Sequence, residues 1–337
     1  MSWMRLPWLK TIWTNWVVAS TLAGWLMGCA SSHTVMVVNV PVCDLRATSH
    51  TTAQPAIHDP LEETQLLYGE RVNILTVQDG WAHVEAIEQP EFTHTKRWQG
   101  YPGWIPITLL SPWRSSYAPT VVVTSKWAPA SLDPSLLAPA RLQFPIGTRL
   151  RATKINDSTW KISLIDGTAA WMSLRDAASL EHLRALTRSE QREAILRSAT
   201  QFIGDPYFWG GRSPHDAHRT EYVTGVDCSG LTNLAYRSVG IEIPRDAHEQ
   251  FLRAQPITTL QPADLIFLSE RDHPTHIVHV MLYAGADDVI EGPGTGQAVR
   301  RVSLAQRLGL SVKMLRPGTV VDHQTVFFGT YLPSRRH

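Results

Sequence analysis

The stretch Val226-Asp-Cys-Ser-Gly-Leu231 governs how the whole chain is read. The chain has three cysteines, and this one stands between an aspartate and a Ser-Gly pair. Cys228 is a nucleophile, a metal ligand or a small apolar filler, and free cysteine is commonly just buried. Its neighbours move the odds. Asp227 is a residue type that caps helix N-termini. Leu231, Leu234, Ala235 and Val239 then fall on one helical face, and Gly240 ends it. Cys228 is therefore expected in the first turn of a helix. Unpaired amide N–H groups and the positive end of the helix dipole stabilise a thiolate there. A packing cysteine has no need of that position.

A thiolate needs a base. Asp264–Ser269 ("DLIFLS"), His276–Gly285 ("HIVHVMLYAG") and Asp288–Gly294 ("DVIEGPG") read as three successive strands. His276 and His279 are separated by an odd number of residues, so on a regular strand they face opposite sides and only one can reach Cys228. The same alternation weakens a zinc reading of His273, His276 and His279. No metal and no other cofactor is expected.

A chain of 337 residues with 43% hydrophobic and 18% charged residues has room for two or three domains with real cores. Its formal net charge of +1 provides no basic field for nucleic acid. From about residue 35, runs such as "VMVVNVPV", "RVNILTV" and "WAHVEAI" are short, rich in β-branched residues and punctuated by Gly turns. The plan then repeats: "GERVNILTVQDGWAHVEA" is echoed by "GTRLRATKINDSTWKISL", and "GYPGWIP" by "GTAAWMS". The first copy carries an extra "EQPEFTHTKRWQ". Trp81, Trp104, Trp160 and Trp171 are expected in the cores of these modules. After about residue 185 the character changes. "TRSEQREAILRSATQFIG" reads as an amphipathic helix ended by Gly204. Trp209 is expected to pack beneath the "WGG" turn. The polar stretch between Gly211 and Asp227, with His215, His218, Arg219 and Tyr222, is either a solvated loop or a lip over the site.

The N-terminus points to export. Arg5 and Lys10 precede an uncharged, mostly apolar run that ends at Cys29. A transmembrane anchor is the competing reading. "LMGCASS" resembles a bacterial lipobox, which implies lipidation of Cys29 and, with Ala30 next, an outer-membrane position facing the periplasm. Cys43 is expected to be buried and unpaired.

Taken in order, "YFWGG", "DCSGL", "IPRDAHEQ", "DLIFL", "HVMLYAG" and "VIEGPG" resemble the NlpC/P60 cysteine peptidases of bacterial cell walls. "ETQLLYGE" and "GYPGW" resemble the subgroup with two bacterial SH3 domains before the peptidase. The resemblance implies a signal segment at 1–28, SH3-like β barrels at 29–112 and 113–180, and a papain-like α+β domain at 185–337. It implies Cys228 as nucleophile, His279 as base and Glu291 as the orienting third residue. Family members more often have His or a neutral amide at that third position. Tyr207, Asp227, Ser229 and Asp246 are implied on the substrate side, with Glu70 and Tyr101 of the first module holding a free α-amino group. The implied activity is cleavage of the γ-D-glutamyl–diaminopimelate bond in murein stem peptides, preferring a free N-terminal L-Ala. An amidase or acyltransferase on the same fold, or a wall-binding scaffold without catalysis, are the alternatives. The partners implied are peptidoglycan peptides and a membrane, with no nucleic acid and no obligate protein partner.

Overall fold

The structure is a computed structural model that describes residues 34–52, 58–114, 117–217 and 224–332. The expected signal segment, Cys29, and His218, Arg219 and Tyr222 lie outside the described residues. Among the described residues, no helix is long and apolar enough to cross a membrane.

Fourteen strands build two β modules. The first holds β1 (Thr34–Val38), β2 (Val42–Arg46), β3 (Glu62–Leu67), β4 (Arg71–Gln78), β5 (Trp81–Glu91), β6 (Gln99–Pro106) and β7 (Leu110–Pro112). The second holds β8 (Val121–Val123), β9 (Trp127–Ser131), β10 (Leu142–Pro145), β11 (Arg149–Lys154), β12 (Thr159–Ser163), β13 (Ala169–Ser173) and β14 (Ala177–Ser179). The strand order is β3-β2-β6-β5-β4-β1-β7 in one and β10-β9-β13-β12-β11-β8-β14 in the other, the same path position by position. The β4–β5 hairpin turns on Asp79 and Gly80, both at positive φ, a tight pair whose twist suits the flanking strands.

Trp160 packs against the core of the second module as expected, whereas Trp81, Trp104 and Trp171 lie outside the two module cores. Trp81, Trp104, Trp160 and Trp171 are all half-buried. In β5 the interior is taken by Ala82, Val84 and Ala86, so Trp81 falls on the opposite face. The module cores are mostly aliphatic, with Tyr101 the aromatic in the first and Tyr68 and Phe144 in the second.

The C-terminal part begins with α1 (Leu180–Ala185) and α2 (Arg188–Thr200), the latter opened by a Thr187–Glu190 capping box. A short hairpin, β15 (Arg212–Ser213) with β16 (Gly225–Val226), precedes α3 (Cys228–Arg237) and α4 (Ala247–Arg253). An antiparallel sheet follows: β17 (Gln255–Pro256), β18 (Leu265–Glu270), β19 (His273–Gly285), β20 (Asp288–Glu291), β21 (Arg300–Ser303), β22 (Val320–Val321) and β23 (Gln324–Thr330), with α5 (Leu304–Leu308) between β21 and β22. The order is β17-β23-β18-β19-β20-β21, with β22 paired to β23. Both faces of this sheet are covered. Leu265, Phe267, Val280 and Leu282 pack with Ile195 of α2 and Leu231 and Leu234 of α3. Ile266, Leu268, Met281 and Val289 pack with Leu304 and Leu308 of α5. All ten residues of α3 are buried, so the helix is clamped along its whole length.

Buried charge joins the three parts. Arg212 and Arg237, both buried, approach Glu70 at 2.8 and 3.2 Å. Arg237 also pairs with Glu88 at 2.7 Å and donates to the Gly147 carbonyl of the second module at 2.9 Å. Removing one member of such a buried set costs about 3–5 kcal/mol, because its partners stay desolvated.

Candidate active site

Asp227 caps α3, its Oδ1 accepting from the Gly230 N–H at 2.6 Å, which makes Cys228 the first helical residue. Amide groups there have no intrahelical acceptor and favour nearby negative charge. The cap is itself held. Gly210 N–H donates to Asp227 Oδ2 at 3.1 Å, and the buried Arg245 donates to both oxygens at 3.1 and 2.8 Å. Arg245 also reaches Ser229 Oγ at 3.0 Å and, through Nε, Thr64 of the first module at 2.7 Å. The packing is tight enough to require glycine: a Cβ on Gly230 would lie 2.2 Å from the Gly211 carbonyl oxygen. Cys228 and Cys43 are both buried free thiols.

His279 lies on β19 within hydrogen-bond reach of Cys228. Its Nε2 is 2.8 Å from Glu291 Oε2, which leaves Nδ1 for the thiol. The Leu282–Ile290 register makes His279 and Glu291 diagonal neighbours on one face of the β19–β20 ladder. Burial alone would lower the basicity of His279, but the charges of Cys228 and Glu291 outweigh it and raise its pKa to about 9. Burial would likewise raise the pKa of Glu291, yet His279 and Arg307 pull it down to about 2. His276 is exposed, its ring 5.1 Å from that of His248, and it too borders the cleft. His279 is thus the one of the two that reaches the thiol, and the β18–β19 register shifts between Leu268 and Ser269.

A cleft of about 270 Å³ opens beside Cys228 and is lined by Tyr207, Asp227, Ser229, Asp246 and Tyr101 among others. Tyr207 is buried, and that burial, with the charges of Cys228 and Asp227, raises its phenol pKa, so it remains a proton donor. Asp227 and Ser229 line the wall, but their oxygens are engaged by Gly210, Gly230 and Arg245, so they brace the helix start. Trp209, expected as a packing residue, is 53% exposed on the rim with its ring 6.1 Å from His58.

The end of the cleft is closed by the first module. Tyr101 Oη donates to Asp246 Oδ2 at 3.0 Å and lies 3.4 Å from Glu63 Oε2. Burial first, then the nearby Glu249 and Asp227 charges, push Asp246 up to about 7 against the pull of Arg245. Its side chain is 37% exposed, so solvent screens part of that shift. His94 stacks edge-on to Tyr101 at 5.3 Å, with Nδ1 3.0 Å from Glu91. The segment carrying His94 is the insert noted in the first module. Glu249 of α4 anchors it by accepting from the N–H groups of Phe92 and Thr93 at 3.3 and 3.0 Å.

Glu70 is not in this wall. It is 1% exposed and tied to Arg212, Arg237 and Gln89 at the module junction. The acidic residue of the first module that faces the cleft is Glu63 on β3. Sequence reading also missed Arg245, His94, Arg300 and Arg307. Arg245 stood within the quoted "IPRDAHEQ", where a basic residue before a helix start was the available signal. The others carry no local mark.

A thiol at a helix start, an imidazole on the adjoining antiparallel sheet and an acceptor behind it define a papain-like thiol site. Residues 204–314 match the model of the NlpC/P60 family, and this part of the chain is an NlpC/P60 domain. The chain is similar to the γ-D-glutamyl-L-lysine dipeptidyl-peptidase of Bacillus cereus, 28% identical over 249 residues that cover 72% of this chain and 70% of that one. It is also similar to the murein DD-endopeptidase MepH of Escherichia coli, 42% identical over 119 residues, 34% of this chain and 41% of that one. A solved structure of an NlpC/P60 family protein from Bacillus cereus aligns over 89% of this chain and 100% of its own with a TM-score of 0.70 at 23% identity, a likeness of fold that includes the β modules.

Proposed function

We propose that the protein is a cell-wall peptide hydrolase that cleaves the bond from γ-D-glutamate to the diamino acid in murein stem peptides with a free N-terminal L-Ala. His279 takes the Cys228 proton, and the thiolate sulfur attacks the γ-carbonyl carbon. The Cys228 N–H and the Tyr207 hydroxyl face the developing oxyanion. The C–N bond then breaks, the amine leaving with the proton held by His279, and water attacks the thioester through His279 to release the acid and restore the thiol. Glu291 holds the imidazole throughout.

The observation that carries the substrate reading is the closed acidic end, where Glu63, Asp246 and Tyr101 converge. Carboxylates and a phenol oxygen suit an ammonium group. A glycan-linked or acylated terminus would bring bulk and no charge to a dead end. We read the two β modules as SH3-like barrels whose first copy shapes the cleft, and Cys29 as the point of lipid attachment.

The test is digestion of L-Ala-γ-D-Glu-meso-diaminopimelate peptides beside their N-acetylmuramyl forms, with products weighed by mass spectrometry. Release of L-Ala-D-Glu from the free peptides, lost in Cys228→Ala, is expected. Equal turnover of the muramyl-linked forms, or cleavage only of cross-linked dimers, would reject the reading.

A further inference from the structure

Glu291 is a buried carboxylate with three charged neighbours, one from each element packed on it. His279 comes from β19. Arg300 comes from β21, directly opposite Glu291 in register, with Nε and Nη2 at 3.1 and 2.8 Å from Oε1. Arg307 comes from α5, with Nε at 3.0 and 2.9 Å from the two oxygens. The local structure aims both guanidinium groups. Strand alternation turns Arg300 inward and sends Arg301 outward to Asp288 at 2.9 Å. A Ser303–Gln306 capping box starts α5 and Gly309, at φ 71, ends it, which fixes the single turn that presents Arg307.

We propose that Arg300 and Arg307 are positioning residues that pin both oxygens of Glu291, offset part of the charge this carboxylate presents to His279, and thereby set the pH window of the thiol chemistry. The inference rests on the reading of Cys228 and His279 as the reacting pair. A bare buried carboxylate beside an imidazole would bind the imidazolium so strongly that its proton would no longer pass to a leaving amine, since a general acid works best near the operating pH. Two guanidinium groups offset that excess. The orientation remains, because the carboxylate has lone pairs enough for His279 and both arginines.

The test uses Arg307→Gln and Arg300→Gln singly, with Arg307→Lys as the conservative variant. Arg300 is 43% exposed, so its Gln variant should fold even if the other does not. Two profiles are measured against pH: kcat/KM for the free peptide, and the rate of Cys228 alkylation by iodoacetamide, which needs no peptide. Loss of a positive charge disfavours every proton loss nearby, so both limbs should move to higher pH by about half a unit in each Gln variant, given partial solvent screening. Arg307→Lys keeps the charge and should keep the limbs, while the looser grip lowers kcat. Gln variants that lose thermal stability or rate with unmoved profiles would overturn the proposal in favour of a purely structural role. Shifted alkylation without any peptide turnover would support it and instead reject the substrate reading.

Discussion

Replacing Glu63 by Gln removes charge from the closed end of the cleft with little change in shape. Charge-assisted hydrogen bonds contribute roughly 1.5–3 kcal/mol. Glu63 is 27% exposed, so solvent weakens its share. The lower part of that range, about 1.5–2 kcal/mol, corresponds to roughly 10- to 30-fold in kcat/KM. The loss should fall on peptides with a free terminal amine and spare N-acetylated ones, so the ratio of the two is the quantity to follow. Steady-state assays of L-Ala-γ-D-Glu-diaminopimelate and its N-acetyl derivative give it. Glu70→Gln is the control. It leaves Arg212 and Arg237 short of a buried partner and should lower thermal stability by roughly 3 kcal/mol, with the ratio intact. A Glu63→Gln enzyme with an unchanged ratio would refute the amine site, and a ratio that collapsed in Glu70→Gln would refute the placement of these two residues. The site also predicts a pH effect. Asp246 is pushed up to about 7, so as pH falls through that value it gains a proton, and KM for free-amine peptides should rise.

Cys228→Ala and His279→Ala should each abolish turnover, and the cysteine change, which removes only a sulfur at the cleft wall, should leave circular dichroism and melting near those of the parent. Glu291→Gln removes the charge that helps raise His279, so the alkaline limb of kcat/KM should move to lower pH, opposite to the arginine variants. Arg245→Met leaves the Asp227 carboxylate buried without its main partner and should destabilise by about 3–5 kcal/mol, read by chemical denaturation; Asp227→Asn in the same chain should recover part of that loss. Cys29→Ser should abolish lipid labelling and membrane association in cell fractionation, and continued association would favour an uncleaved anchor.

Much of the site was legible because it is written in local rules. Asp227 before Cys228 is cap chemistry, and the spacing of Leu231, Leu234 and Ala235 is helical period. Those rules place the sulfur at a helix start without knowledge of the rest. Strand runs and their order brought His279 and Glu291 onto neighbouring strands, and the repeat of two β modules survives as one strand order used twice. What failed depends on side-chain parity and on docking. Trp81 and Trp104 were assigned to cores, yet the alternation of β5 and β6 gives the interior to Ala82, Val84 and Ile105.

The exchange of Glu70 for Glu63 marks the boundary most clearly. Both are acidic residues in one short stretch, and their composition and neighbours do not separate them. Glu70 meets Arg212 and Arg237, and Glu63 meets Tyr101 and the cleft that holds Asp246, only because the first module packs against α3 and α4 in one orientation. Arg300 and Arg307 likewise meet Glu291 through a strand register and a one-turn helix. The sequence alone placed Cys228 at a helix start, since capping and periodicity act over a few residues, and family resemblance chose His279 and Glu291 as its partners. The tertiary structure decided which charges surround them, since a carboxylate's role follows from whether guanidinium groups or open cleft lie beside it, and those neighbours are brought in from distant parts of the chain.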